Sequence, residues 1–150
     1  MQNIATVGLA MLSWRSPQTV VATLKNYEEE HLFSLFDQNL IFFQEISDAD
    51  KAAANLYNLN YAGNRKNTGI YGGVCAILEK MHTDYVLLLE NDCPLVENHD
   101  KAQQTLESAL YDMQHQNINI CRLRHLKYPG QKFQTLHKFL SIHERPIMRF

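Results

Sequence analysis

Two acidic residues follow the most apolar segment of the chain, and their types and spacing suit metal chemistry. The run Leu87-Leu88-Leu89 leads directly into Glu90-Asn91-Asp92, so the carboxylates are expected where a buried strand reaches the surface. If the backbone stays extended, Glu90 and Asp92 point to the same side, because strand side chains alternate. A divalent cation such as Mn²⁺ or Mg²⁺ relieves the repulsion between two such carboxylates. We therefore expect Glu90 and Asp92 to be metal ligands; the alternative is a solvated turn that Asp92 caps.

A second candidate combines two cations with a glycine-rich helix start. Arg65 and Lys66 lie in a polar loop that precedes Gly69, and Gly72 and Gly73 follow. Free backbone amides and the positive end of the helix dipole favour an anion at such a start, and both cations add to that field. The pattern is neither a P-loop nor a dinucleotide-binding fingerprint. It indicates a phosphate contact; the alternative is a surface loop with two solvated cations.

The remaining candidates follow the first two predicted strands. Ser13, Trp14 and Arg15 lie at the end of strand 1, where Trp14 can stack on a base and Arg15 can pair with a phosphate. Glu45 stands at the end of strand 2 and can accept hydrogen bonds from a ribose hydroxyl or a base N–H. A packing role for Trp14 and a solvated strand end at Glu45 are the alternatives.

The elements that would position these residues alternate between strand and helix patterns. Apolar runs predict strands at residues 5–13, 40–43, 57–61, 85–89 and 118–123, and helical patterns fall at 17–27, 51–56, 68–82 and 100–115. Ser16-Pro17 and Ser47 to Asp50 are typical helix starts. This order predicts an α/β fold in three α/β/α layers, with a mostly parallel sheet. In such sheets ligands bind beyond the carboxyl ends of the strands, which is where the candidates lie.

Composition excludes several classes of protein. A chain of 150 residues with 45% hydrophobic and 20% charged residues is typical of one globular domain, here residues 1–150. No apolar run is long enough to span a bilayer, and the first residues lack the pattern of a signal peptide. Three cysteines without a C-x-x-C pair argue against a disulfide scaffold or a structural zinc site. These features favour a cytoplasmic protein.

Charge is distributed unevenly along the chain. Residues 1–121 carry 7 Lys and Arg against 15 Asp and Glu, whereas residues 122–150 carry 7 Lys and Arg against one acid, Glu144. The basic segment 122–150 is expected to pack against the acidic body, with a possible helix at 131–140 that buries its apolar side. Peripheral contact with an anionic membrane is the alternative.

In combination, these segments resemble the nucleotide-sugar-binding half of a GT-A glycosyltransferase and are similar to the family 2 group. The segment Leu87 to Asp92 resembles the apolar strand and an E-x-D form of the metal motif, and Asn67 to Gly73 resembles the asparagine-and-glycine helix start. Leu12 to Pro17 resembles the end of the first strand. The resemblance covers roughly residues 4–125, by order and spacing more than by identity. Where the family has an aspartate-rich turn, this chain has Gln44 to Asp48.

The resemblance implies transfer of a sugar from a nucleotide-diphosphate sugar to a hydroxyl group of a glycan or lipid-linked acceptor. The donor that it favours is a UDP-sugar, and it implies no nucleic-acid partner. It implies Mn²⁺ or Mg²⁺ as the cofactor, held by Glu90 and Asp92. It also implies donor contacts from Ser13, Trp14, Arg15, Glu45, Arg65, Lys66, Gly69 and Asn91.

Two alternatives to such an enzyme follow from the same residues. The family's acceptor-binding elements lie beyond strand 5, which only residues 124–150 follow here. A non-catalytic domain of the same type, which binds a nucleotide-sugar or a partner, is therefore the first alternative. The second is a nucleotidyltransferase, but its glycine- and lysine-rich loop is missing after strand 1, where Ser13 to Pro17 stands.

Overall fold

The computed structural model describes residues 5–116, 118–121 and 123. These residues divide into two compact units between His99 and Asp100, and a single domain over residues 1–150 stays a prediction. The elements are β1 (Val7–Trp14), α1 (Pro17–Glu29), a 3₁₀ helix (Leu32–Leu35), β2 (Gln38–Gln44), α2 (Asp48–Asn55), β3 (Asn60–Gly63), α3 (Gly69–Leu78), β4 (Tyr85–Glu90) and α4 (His99–His115). No helix among the described residues is both long and apolar enough to cross a membrane.

The four strands form one parallel sheet in the order β3-β2-β1-β4. The chain moves outward from β1 to β3 and then returns to the other side of β1. The strand order therefore reverses between β1 and β4, and all four carboxyl ends lie at one edge. In the register, Trp14 lies beside Gln44, and Glu90 lies beside Leu12.

Helices cover both faces of this sheet. On one face α3 packs on alternate strand residues, in a core of Ala10, Leu12, Leu40, Phe42, Ile77 and Met81. On the other face α1 packs on the intervening residues, and a small cavity there is lined by Leu9, Met11, Leu24, Tyr27 and Ile41, among others. Because both faces are covered, β1 is buried from Val7 to Ser13. The predicted α/β fold in three layers is confirmed.

The two predicted helix starts differ in their chemistry. The Ser47 hydroxyl accepts a hydrogen bond from the Asp50 backbone amide at 3.3 Å, and Asp50 Oδ2 accepts one from the Ser47 amide at 2.9 Å. This reciprocal capping box starts α2. Ser16 occupies the corresponding position before α1, but its side chain makes no capping hydrogen bond. Pro17, at the first helical position, is the feature that favours a helix there.

Several predicted boundaries are wrong. The third strand is Asn60–Gly63, not 57–61. Hydrogen-bonded turns follow α2 as far as Leu59, whose amide donates to the Ala54 carbonyl, so the strand begins only after them. Helix α3 ends at Leu78, not at residue 82. The described residues of 118–123 are not in a strand. Apart from Leu123, the basic segment 122–150, with its expected helix at 131–140, lies outside the described residues.

The difference between the two helix starts gives a prediction for stability. Ser47→Ala removes a capping hydroxyl and deprives the buried Asp50 of a partner, so it should lower the free energy of unfolding by about 1 kcal/mol. Ser16→Ala removes a hydroxyl at the same helix position that makes no capping bond, and should change it by less than about 0.5 kcal/mol. Urea denaturation of both variants measures the difference. Equal losses would contradict the capping box.

Candidate functional site

The carboxyl edge of the sheet brings together residues predicted from separate parts of the chain. Trp14 ends β1 and Glu90 ends β4. These two strands are neighbours on either side of the reversal in strand order, which is where open α/β sheets bind their ligands. The end of β2 lies on the other side of Trp14. The site is therefore built on the ends of three adjacent strands.

Trp14, Arg15 and Glu45 form one cluster at this edge. Trp14 Nε1 donates a hydrogen bond to Glu45 Oε2 at 2.9 Å, and Arg15 Nε donates to the same oxygen at 2.6 Å. The Arg15 guanidinium carbon lies 5.4 Å from the centre of the Trp14 ring, within the range of a cation–π contact. The sequence indicated the three residues singly, whereas the structure joins them through one carboxylate.

The Glu45 carboxyl is held in its ionised form. The hydrogen bond from Trp14 is the largest single cause that lowers its pKa. The hydrogen bond and charge of Arg15 and the Asn67 backbone amide act in the same direction, and desolvation opposes them. Arg15 and Glu45 both have a positive φ, of 51° and 52°, a region that side-chain-bearing residues seldom adopt. The Trp14 side of the cluster is accessible, since this residue is 50% exposed.

Gln44 fixes the start of α3 and is a residue whose role sequence reasoning missed. Its side chain is buried, its Oε1 accepts from the Thr68 amide at 3.1 Å, and its Nε2 donates to the Gly69 carbonyl at 2.9 Å. A Cβ on Gly73 would lie 2.6 Å from Gln44 Nε2, so this glycine allows the close approach. The signal in the sequence was a polar residue that directly follows the apolar Phe42-Phe43.

The predicted phosphate loop lies next to the cluster. The Asn64 amide donates to the Phe43 carbonyl at 3.0 Å, and the Ile46 amide donates to the Asn64 carbonyl at 2.9 Å, so the loop follows the end of β2. Arg65 and Lys66 are exposed, and neither forms an ion pair with a described residue. The loop therefore presents two cations to solvent beside the strand ends.

The amide of Gly69 is already engaged in this structure. It donates to Asn67 Oδ1 at 2.7 Å, and Gly69 has a φ of 75°, which favours glycine. Ser13 is buried within β1, and its hydroxyl has no partner among the described residues. Donor contacts by Gly69 and Ser13 stay predictions.

The two predicted metal ligands are exposed at the end of β4. The Cys93 amide donates to the Glu90 carbonyl at 3.2 Å and closes a turn, so the backbone does not stay extended through Asp92, which was the condition for the two carboxylates to share a side. Strand alternation therefore does not orient the two carboxylates. No group of three or more His, Cys, Asp or Glu residues that could hold a metal occurs in the described part of the chain. Two accessible carboxylates fit a hard cation that takes its other ligands from water and phosphate.

Asn91 lies between the two carboxylates and is half-buried. Its backbone carbonyl accepts a hydrogen bond from Thr23 Oγ1 of α1 at 2.7 Å. The turn is therefore attached to the helix that follows Trp14 and Arg15.

Comparison with known proteins detects a shared fold at low sequence identity. No protein-family model and no curated protein matches the chain. A mannosyltransferase from Pyrobaculum calidifontis, in complex with GDP-Man and Mn²⁺, is similar with a TM-score of 0.62 and 12% identity, over 82% of this chain and 37% of that one. Rv0371c from Mycobacterium tuberculosis H37Rv, in complex with manganese, is similar with a TM-score of 0.52 and 16% identity, over 70% of this chain and 60% of that one.

A second structure of Rv0371c is similar to the same degree, with a TM-score of 0.52 and 14% identity over 71% of this chain. The chain spans between 37% and 61% of the length of these proteins. At such low identity the likeness establishes the fold, and that fold occurs in a glycosyltransferase.

The cluster predicts an acid titration that the single tryptophan reports. Because the pKa of Glu45 is lowered, its bonds to Trp14 and Arg15 persist as the pH falls and break only below the ordinary value of 4.5. We expect Trp14 fluorescence to change with a midpoint below that value and to lose this transition in Glu45→Gln. Glu79→Gln, which removes an exposed carboxylate just after α3, is the control and should keep it. A midpoint above 4.5, or one that persists in Glu45→Gln, would contradict the cluster.

Proposed function

We propose that this chain binds a nucleotide-diphosphate sugar together with a divalent cation and forms the donor-binding part of a glycosyltransferase. The observation that carries the proposal is the shared location of the Trp14–Arg15–Glu45 cluster and the Glu90–Cys93 turn, at the carboxyl edge where strand order reverses. The likeness in fold to a mannosyltransferase in complex with GDP-Man and Mn²⁺ supports it.

The cluster supplies the chemistry for the nucleoside. Ionised Glu45 only accepts hydrogen bonds, so it suits a ribose hydroxyl or a base N–H. The half-exposed Trp14 ring offers a face on which a base can stack. Uracil and guanine both carry a ring N–H, so a UDP-sugar, expected from the resemblance, and a GDP-sugar, as in the Pyrobaculum protein, are the two donors to compare.

Positive charge is needed at the diphosphate end, because the leaving nucleoside diphosphate gains negative charge during transfer. Arg65 and Lys66 are available for this role, since neither is paired with a described acid. Glu90 and Asp92 would hold Mn²⁺ or Mg²⁺, which when bound supplies further positive charge opposite the phosphates. Arg15 is 67% exposed on its side chain and can reach an anion while it pairs with Glu45.

Binding and transfer are separate claims about this site. A domain that binds the donor without turnover is the second candidate, because the groups at the carboxyl edge that carry the proposal suit binding of the donor and the cation. Release of nucleoside diphosphate in the presence of an acceptor glycan or lipid distinguishes the two functions.

Removal of one carboxylate tests the cation site. Asp92→Asn should weaken the Mn²⁺-dependent part of GDP or UDP binding by about tenfold or more, because a contact to a charged group is lost. Glu90→Gln should act in the same direction with a smaller effect. Titrations of each nucleotide with and without Mn²⁺, followed by thermal shift, measure both effects.

Glu79→Gln is the matched control, since it removes an exposed carboxylate from the residue after α3. It should bind as the parent does. Unchanged Mn²⁺-dependent binding in Asp92→Asn would show that the cation lies elsewhere.

Removal of the loop cations tests the diphosphate contact. The double variant Arg65→Ala/Lys66→Ala should lose about tenfold or more in affinity for a nucleoside diphosphate and little for the bare nucleoside, because the cations contact phosphate. The control Lys25→Ala/Lys80→Ala removes the same charge from exposed positions outside the loop. Isothermal titration of both ligands measures the difference. An equal loss for both ligands would contradict a phosphate contact.

A further inference from the structure

One face of α1 holds the backbone of the segment that follows β4. Thr23 Oγ1 donates to the Asn91 carbonyl at 2.7 Å, and the Tyr27 hydroxyl donates to the Cys93 carbonyl. Asn26 Oδ1 accepts from the Leu95 amide at 2.7 Å. Positions 23, 26 and 27 lie on one side of a helix, so α1 binds alternate residues of this segment.

The two hydroxyls reach out from the protein core. Thr23 is 3% exposed and Tyr27 is 1% exposed, whereas Asp92 and Cys93 are exposed. Burial, followed by the charge of the nearby Cys93, raises the pKa of Tyr27, so its hydroxyl keeps the proton that it donates. Buried hydroxyls in a packed core have little freedom to move. The carbonyls that accept from them, those of Asn91 and Cys93 on either side of Asp92, therefore also have little freedom to move.

The turn itself supplies little of this restraint. Its own backbone hydrogen bond runs from the Cys93 amide to the Glu90 carbonyl at 3.2 Å and leaves both flanking carbonyls of Asp92 without a bond inside the turn. Asp92 is neither at the end of a strand nor in a helix. The two bonds from α1 therefore restrain the backbone on both sides of Asp92 where the turn does not.

We propose that Thr23 and Tyr27 are positioning residues for the cation site: they hold the carbonyls on both sides of Asp92, so that its carboxylate is preorganised to bind the metal. The inference rests on the proposed function. Groups that orient a metal ligand from behind contribute to affinity although they do not touch the metal. Because α1 begins two residues after Arg15, the same helix sets the separation between the nucleotide cluster and Asp92.

The test removes each hydroxyl while it keeps the shape of the side chain. Thr23→Val and Tyr27→Phe should each weaken Mn²⁺ binding about fivefold at saturating nucleoside diphosphate, the loss of one hydrogen bond. Free Mn²⁺ is measured by electron paramagnetic resonance. The affinity for nucleoside diphosphate without metal should stay unchanged. Thr23→Ser keeps the donor and should bind Mn²⁺ as the parent does.

Two matched controls remove hydroxyls that donate to backbone carbonyls elsewhere. Thr83→Val removes the bond from Oγ1 to the Tyr85 carbonyl, 2.9 Å, at the amino end of β4. Tyr57→Phe removes the bond from its hydroxyl to the Val21 carbonyl, 3.4 Å. Both should leave Mn²⁺ binding unchanged, even where they lower the melting temperature as much as the test variants do.

The outcomes separate the two proposals. Parental Mn²⁺ affinity in Thr23→Val and Tyr27→Phe, with a loss in Asp92→Asn, would overturn the positioning role alone. An equal loss of affinity for the nucleoside diphosphate with and without Mn²⁺, in proportion to the fall in melting temperature, would also overturn the positioning role. If the parent shows no Mn²⁺-dependent gain, the proposed function fails and the inference fails with it. Should Tyr27→Phe not fold, the pair Thr23→Val and Thr23→Ser decides.

Discussion

The burial of β1 between two parallel neighbours is the constraint on which the rest of this structure depends. From Val7 to Ser13 the strand is covered on both faces and bonded to β2 and β4 on both sides, so it has room only for apolar or small side chains. Polar groups can approach it only at its ends. Because the neighbouring strands are parallel, the carboxyl ends of all three meet there, and Trp14, Glu45 and Glu90 reach the same edge.

Side chains from buried elements, more than the loops themselves, give this edge its shape. Gln44, buried in β2, bonds to Thr68 and Gly69 at the start of α3. Thr23 and Tyr27, buried in α1, bond to the carbonyls around Asp92. A buried polar group that is left unpaired costs about 1–3 kcal/mol, so these three side chains are stabilised by their bonds to the backbone at the edge. Those bonds link the core to the residues that would contact a donor sugar.

Local patterns predicted most of the fold and the separate members of the site, and the rest depended on contacts between distant residues. Three apolar runs, which became β1, β2 and β4, and the Ser47–Asp50 capping box were visible because burial and helix starts leave signals within a few residues. The contact of Trp14 and Arg15 with Glu45 spans about thirty residues of sequence, and it follows from strand register. The sequence offered the turn after Glu90 only as an alternative to an extended backbone, because the support of that turn comes from Thr23 and Tyr27 on another element. Their only signal was a pair of hydroxyls four residues apart on a buried helix face.

The most direct test of the central claim, one donor and cation site at the carboxyl edge, is paramagnetic broadening by Mn²⁺ in nuclear magnetic resonance spectra of the ¹⁵N-labelled protein. With GDP or UDP present, Mn²⁺ should broaden the signals of the Trp14 indole N–H and the Asn91 amide. The Asp92→Asn variant should lose this broadening. The Thr6 and Asp84 amides lie at the amino ends of β1 and β4, away from the carboxyl edge. Since β1 spans 8 residues, or about 25 Å, the signals of these two amides should stay sharp. Broadening at Thr6 and Asp84 with an unchanged Trp14 signal would contradict the account.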